Sequence, residues 1–342
     1  FKTYLSPIVE SAEVYRAKSG EDVGGSELMS FFDRGERELA IRPEMTPSVT
    51  RMVTQIYESS PKPIRYFSIA NFFRNEKPQR GRNREFWQLN ADIFGSDSIN
   101  ADTEIVQMAI EIMKSFGANK DQFIVYFNDR NLISSVITKF AKTSLENIQA
   151  ATRIIDKFGK IPNQELIERL RKEAGCLIEE EEYFIRFLQG DDAAIQFVQE
   201  TYLKDDPSYE KLKRILVGLE NLGYGDLLKY NPSMVRGFDY YDGMVFEVYD
   251  RRDYLQKTGA IEAKDTYRSL FGGGRYNGLA GIFGSNSFPA VGFAPGDETT
   301  RLFLESWNLI PENLKPVTYY LPLLSEELSS DVMRLAQKLR SE

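Results

Sequence analysis

The chain opens on FKTYLSPIVE, an apolar run that predicts a strand closed by Pro7. Residues 29–42 (MSFFDRGERELAIR) then set two apolar-rich arms around Asp33, Arg34 and Gly35, which favour a tight reversal, so a hairpin is expected. Thr46 and Pro47 start a helix, because Val49, Met52, Val53 and Ile56 recur at helical spacing. IRYFSIA (64–70) predicts a strand. It leads into residues 72–95, two apolar arms joined by a loop that holds Lys77, Arg80, Arg82 and Arg84 around Pro78 and Gly81, and that is expected to be exposed and mobile. An amphipathic helix over 101–115 and a strand over 121–128 follow.

From about 130 to 222 the pattern is helical throughout and rich in Lys and Glu. This predicts a helical insertion domain at 133–208, after which the helix SYEKLKRILVGLENLG returns the chain to the sheet. The sheet resumes with DLLKYN, MVRGFDYYDGMVFEVYD (234–250), YRSLFGGGRYNGL (267–279) and PAVGFAPG (289–296). Glu298 to Trp307 is helical, Pro311 opens a linker, and VTYYLPLL with its following helix predicts the first strand and helix of an α/β domain. The expected division is therefore catalytic-type domain 1–132 and 209–310, insertion 133–208, and linker with terminal domain start 311–342.

The 234–250 stretch predicts a half-buried strand that places Arg236 beside Asp239, Tyr240 and Tyr241. A guanidinium held over an aromatic floor stabilises charge developing on a carboxylate or phosphate, more so where the dielectric is low. The basic loop, flanked by Arg74 and Glu76 on one side and Glu85 and Gln88 on the other, has the makings of a phosphate-gripping hairpin; solvated surface is the plainer alternative. The glycines 272–274 permit close backbone approach or a plain turn, and match neither the P-loop nor the dinucleotide fingerprint.

Composition narrows the chemistry. At 42% hydrophobic and 27% charged residues over 342 positions, the chain has the make-up of folded soluble domains. No apolar run approaches the roughly 18 residues of a membrane span, and no secretory leader is evident, so a cytoplasmic protein without membrane partners is expected. A single cysteine, Cys176, and zero histidines exclude an internal disulfide framework, soft-metal sites and any imidazole base or nucleophile. A metal would be a hard ion such as Mg²⁺. The net charge of −8 argues against a general nucleic-acid coat but leaves local patches open. Ragged ends, with no initiating Met and a stop inside a helical pattern, suggest a fragment of a longer protein.

Four stretches in this order, AIRPEMTPSV, FRNEKPQRGRNREFWQ, MVRGFDYYDGMVFE and GGGRYNGL, resemble class II aminoacyl-tRNA synthetases and among them the histidyl-tRNA synthetases. The resemblance covers the whole chain. It implies an α+β fold, a six-stranded antiparallel sheet flanked by helices, with the helical insertion and the start of an anticodon-binding domain. It also implies a homodimer, the substrates L-histidine, ATP and tRNA(His), and Mg²⁺ on the phosphates. By resemblance Arg74 and Arg236 grip the α-phosphate and the carboxylate, while Glu76 and Arg82 hold the rest of ATP. Glu44, Thr46 and Gln88 would receive the ammonium group; Asp92 and Tyr241 would bracket the imidazole, with Tyr276 lining the same pocket. Lys77, Arg80 and Arg84 would meet the tRNA acceptor end.

The chain departs from that family pattern in PAVGFAPGDETTRLFLE, where Thr299 stands at the adenine-stacking arginine and Arg301 follows two positions later, about 200° round a helix. Trp87 stands where relatives often have His. These departures keep two alternatives open: a non-catalytic synthetase-like regulatory subunit of ATP phosphoribosyltransferase, and a nucleic-acid-binding module without chemistry. The second would not need the Asp92 and Tyr241 pocket.

Overall fold

The computed structural model describes residues 1–16, 22–235, 240–252, 269–310 and 319–341. In chain order the strands are β1 (Lys2–Thr3), β2 (Val9–Ser11), β3 (Ser30–Phe32), β4 (Glu38–Ile41), β5 (Ile64–Phe73), β6 (Glu85–Phe94), β7 (Phe123–Asp129), β8 (Leu228–Tyr230), β9 (Met244–Asp250), β10 (Phe271–Arg275) and β11 (Ala290–Phe293). The main sheet has the order β1-β5-β6-β11-β10-β9-β7-β8. Its six inner strands are antiparallel, as expected; β1 on β5 and β8 on β7 add one parallel strand at each edge. The opening apolar run is two short strands rather than one, since the Pro7 region breaks it: β1 joins the main sheet, and β2 joins a small sheet β2-β4-β3 built on the expected hairpin.

The β5–β6 hairpin pairs without interruption from Ile64 with Phe94 to Phe73 with Glu85, which projects the basic loop beyond the sheet. The inner end of β6, Asn90 to Phe94, is wholly buried, while its outer half is partly exposed. After two earlier helices, α1 (Glu13–Arg16) and α2 (Thr46–Ile56), helix α3 (Ile99–Ser115) covers this inner end with Ala101, Ile105, Val106, Ala109 and Met113, a three-to-four-residue spacing that makes one apolar face. Ser98 caps the helix, its Oγ accepting from Asn100 N. Glycines 272–274 do not form a turn: they lie within β10, between β9 and β11. A Cβ at Gly272 or Gly274 would sit 2.7 Å from the backbone oxygen of Phe246 or Met244, so only glycine fits there.

Between β7 and β8 the described chain is helical: α4 (Arg130–Lys139), α5 (Ile148–Ile155), α6 (Asn163–Ala174), α7 (Glu181–Leu188), α8 (Asp192–Tyr202) and α9 (Pro207–Asn221). Asp129, Asp191 and Asp206 cap α4, α8 and α9 through their carboxylates, and Gly175 at φ 61° ends α6. The apolar faces of these helices join one core with Phe123, Phe127 and Phe246 of the sheet. Residues 1–309 form one compact unit and 310–342 a second. In the second, the helix Ser329–Ser341 is present, but residues 319–324 form no strand. A strand needs a partner for its backbone donors and acceptors, and none is found for it among the described residues. No described helix is long and apolar enough to cross a membrane.

Candidate active site

Strand β6 connects two sites. Gln88, Asn90 and Asp92 alternate onto one face of it, and Gln88 and Asp92 are about 13 Å apart at strand rise. Around Asp92 the site is closed. Asp92 faces Gly292 of β11, where any Cβ would run into the carboxylate. Tyr276, 1% exposed, donates its hydroxyl to Asp92 Oδ1. Tyr240 donates to Glu44 Oε2 at 2.9 Å, and Thr46 bonds the same phenol. The rings of Tyr240, Tyr241 and Tyr276 meet edge-on, with centroids 4.9 to 6.4 Å apart, and Gly274 lies against the Tyr241 ring. Two carboxylates thus face three phenols.

The electrostatics follow from burial. Loss of water pushes the Asp92 carboxyl up to about 7; the Tyr276 hydroxyl opposes this and the charge of Glu44 adds to it. Burial likewise raises Tyr240, Tyr241 and Tyr276, each further raised by Glu44 or Asp92, so all three phenols are neutral hydrogen-bonding groups at pH 7. Such a pocket suits a small ligand with N–H donors or positive charge.

At the outer end of β6 the site opens into a 280 Å³ cleft whose walls include Arg74, Glu76, Arg82, Phe86, Gln88 and Thr299. The guanidinium of Arg74 lies 4.9 Å from the Phe86 ring centroid, and its Nε donates to Pro43 O at 3.0 Å. Those two contacts fix its plane and leave the Nη groups for an anion, with Glu76 Oε1 3.9 Å from Nη1. Arg82 Nη1 donates to the buried Glu76 at 2.8 Å. The basic loop is less detached than expected: Asn83 Nδ2 donates to Glu298 Oε1 at 2.9 Å, and Gly81 approaches Leu302 and Thr299. Its tip is therefore docked on the helix Asp297–Ser306, although Lys77, Arg80, Arg82 and Arg84 remain exposed.

The residues singled out from sequence accordingly fall into two groups: Glu44, Thr46, Asp92, Tyr241 and Tyr276 about the closed pocket, and Arg74, Glu76, Arg82 and Gln88 about the cleft. Arg236 lies outside the described residues, as does Asp239. The strand expected across 234–250 begins only at Met244, so Tyr240 and Tyr241 sit in the approach to β9 and their rings pack in one cluster with Tyr276. Arg301 does not enter the cleft walls. It pairs with Glu298 at 2.8 Å and with Glu305 along the exposed face of its helix, as the 200° rotation requires. Thr299 turns its hydroxyl to Leu270 O at 2.7 Å. Two contributors escaped the sequence reading: Tyr240 as the donor to Glu44, and Phe86 as the floor under Arg74. The aromatic doublet and the FW dipeptide were visible, but not what they touch.

The antiparallel six-stranded core flanked by helices is that of the class II aminoacyl-tRNA synthetase catalytic fold. The histidyl-tRNA synthetase family model matches residues 2–297. A histidine–tRNA ligase of Leptospira biflexa is 36% identical over the whole chain and 75% of its own length, and one of Pyrococcus furiosus is 34% identical over 99% and 76%. The crystal structure of histidyl-tRNA synthetase from Nostoc sp. superposes with a TM-score of 0.75 at 22% identity, over 100% of this chain and 76% of that one. A Bacillus halodurans protein described as an ATP phosphoribosyltransferase regulatory subunit/histidyl-tRNA synthetase matches in fold equally well, with a TM-score of 0.75 at 20% identity. The chain belongs to the histidyl-tRNA synthetase family.

Proposed function

We propose that this chain is a histidine–tRNA ligase that activates L-histidine with ATP and passes the histidyl group to the 3′ end of tRNA(His). The observation that carries the reading is the join made by β6: a closed cluster of neutral phenols and carboxylates at Asp92 and a cleft walled by Arg74 and Gln88 are built on the same strand, with Gln88 and Asp92 on one face of it. In this reading Asp92 and Tyr241 hold the two imidazole nitrogens and Tyr276 fixes Asp92. Glu44, Thr46 and Gln88 accept from the ammonium group. The histidine carboxylate attacks the α-phosphorus; its new P–O bond forms as the bond to pyrophosphate breaks, and pyrophosphate leaves with the electron pair. Arg74, joined by Arg236, neutralises the charge that peaks on the pentacoordinate phosphorus. No proton needs to move in that step, which fits a chain without histidine.

Arg82 and Glu76 hold the remainder of the nucleotide, and Lys77, Arg80 and Arg84 receive the acceptor end of the tRNA. Among the described residues no group of three acidic or sulfur ligands could hold a metal alone. Asp297 and Glu298 at the cleft wall suit a Mg²⁺ that arrives on the phosphates and is bound by one or two carboxylates. That ion would neutralise the charge of the departing pyrophosphate. The working form proposed is a cytoplasmic homodimer; the exposed Phe31 and Phe32 on β3 support an oligomer, which light scattering would test.

The deciding experiment is histidine-dependent ATP–pyrophosphate exchange. Exchange supports the ligase. Its absence favours the second reading, a regulatory subunit of ATP phosphoribosyltransferase, for which the observation in favour is Thr299, bonded to Leu270 O, in place of a cation at the cleft.

A further inference from the structure

Arg275 and Asp102 form a buried ion pair: their side chains are 1% and 0% exposed, Arg275 Nε donates to Asp102 Oδ1 at 2.8 Å, and Arg275 Nη1 lies 3.4 Å from Oδ1 of the exposed Asp97. Arg275 ends β10; Asp102 lies in the first turn of α3. Arg275 Nη1 also reaches Ser96 O at 3.0 Å and Asn277 Oδ1 at 3.3 Å. The guanidinium thereby ties the end of a central strand to the loop before α3 and to the turn after Tyr276. Its fork is nevertheless incompletely used, since Arg275 Nη2 and Asp102 Oδ2 are buried with no hydrogen-bond partner among the described residues. Burial holds the Asp102 carboxyl above its ordinary range despite the opposing charge of Arg275. A buried pair left partly unsatisfied is a poor stabiliser, and well-packed apolar residues of similar volume often serve as well. Stability alone therefore does not account for it.

Its placement does. Successive residues of an extended chain point to opposite faces, so Arg275 faces α3 while Tyr276, the next residue, faces the closed pocket and donates to Asp92. The backbone that follows Arg275 is held by three further hydrogen bonds. Tyr276 N donates to Ala290 O at 2.9 Å, and the N–H groups of Asn277 and Gly278 donate to the Asp242 carboxylate at 3.0 and 2.7 Å. The stem of Arg275 lies beside Gly243, where a Cβ would come within 3.3 Å of its carbons.

We infer that the Arg275–Asp102 pair is a positioning device for histidine selection. From the far face of the sheet it fixes the end of β10, so that the Tyr276 hydroxyl stays on Asp92, and it thereby sets affinity for the imidazole without touching it. The inference rests on the histidine-activation reading above.

The test measures ATP–pyrophosphate exchange and thermal melting for wild type, Asp102→Asn and the apolar double variant Asp102→Leu/Arg275→Met. Asp102→Asn is expected to raise KM for histidine about 10- to 100-fold, the usual scale for a supporting residue, with KM for ATP and kcat at saturating histidine within about threefold of wild type. The double variant is expected to melt no lower than Asp102→Asn yet keep the raised KM, because packing is restored but the anchor is not. A folded variant with the wild-type KM for histidine overturns the inference, as does a parallel rise in both KM values. Failure of both variants to fold would make the pair a structural necessity and overturn it too. Wild type without histidine-dependent exchange defeats the underlying reading instead, whatever the variants do.

Discussion

Asp92 and Glu76 are both buried carboxylates near the β5–β6 hairpin, yet one accepts from a phenol and the other from a guanidinium. Around Asp92 the donors are neutral and water is excluded, so negative charge is uncompensated until a ligand brings N–H groups or positive charge. Around Glu76 the donors are cationic and the cleft is open, so Arg74 is left to meet an anion. The lesson is a division of labour set by the donor. The closed end discriminates by what it leaves unsatisfied; the open end stabilises charge by what it supplies.

The sharpest way to break this contrast is Asp92→Asn. Histidine-dependent exchange is expected to fall about 10⁴-fold in kcat/KM, since a pocket built to hydrogen-bond its ligand fails when the pairing is lost. Steady-state exchange with varied histidine checks it. The same residue predicts an unusual pH dependence of stability. Its folded pKa, about 7, lies above the unfolded value of 3.8, so its contribution is fully present below pH 3.8 and is lost as pH rises through 7. The loss amounts to at most about 4 kcal/mol. Ligand-free melting between pH 4.5 and 7.5 should therefore show a fall that Asp92→Asn flattens; identical slopes in the two proteins would contradict the assigned burial.

At the open end, Arg74→Ala is expected to lower kcat for exchange about 10² to 10³-fold while melting stays near wild type, because it removes charge stabilisation rather than core packing. Single-turnover adenylate formation separates that from weakened binding. Thr299→Arg restores a cation beside the cleft and should lower KM for ATP about three- to tenfold with KM for histidine unchanged. Arg301→Ala, which removes only exposed pairs with Glu298 and Glu305, should leave KM for ATP within about twofold of wild type. If Arg301→Ala mattered more than Thr299→Arg, the boundary drawn for the cleft would be wrong.

Local pattern determined a great deal here. Amphipathic spacing made α3 and α2 (Thr46–Ile56) readable, the turn residues at 33–35 marked the small hairpin, and the motif residues of the β5–β6 hairpin carried the kinship. Tertiary structure alone decided the rest. Glycines 272–274 allowed either close backbone approach or a plain turn, and the backbone of β9 and β11 pressing from both sides decided for close approach. The strand expected near residues 317–324 does not appear over its described part, because an apolar run supplies a surface and not a partner. The links from Tyr276 to Asp92, Tyr240 to Glu44 and Arg275 to Asp102 span 173 to 196 residues. Contacts at such separation depend on how the sheet is ordered. Charge, polarity and periodicity along a chain are local quantities, whereas the burial that shifts Asp92 and joins it to a phenol arises only when distant strands close around it.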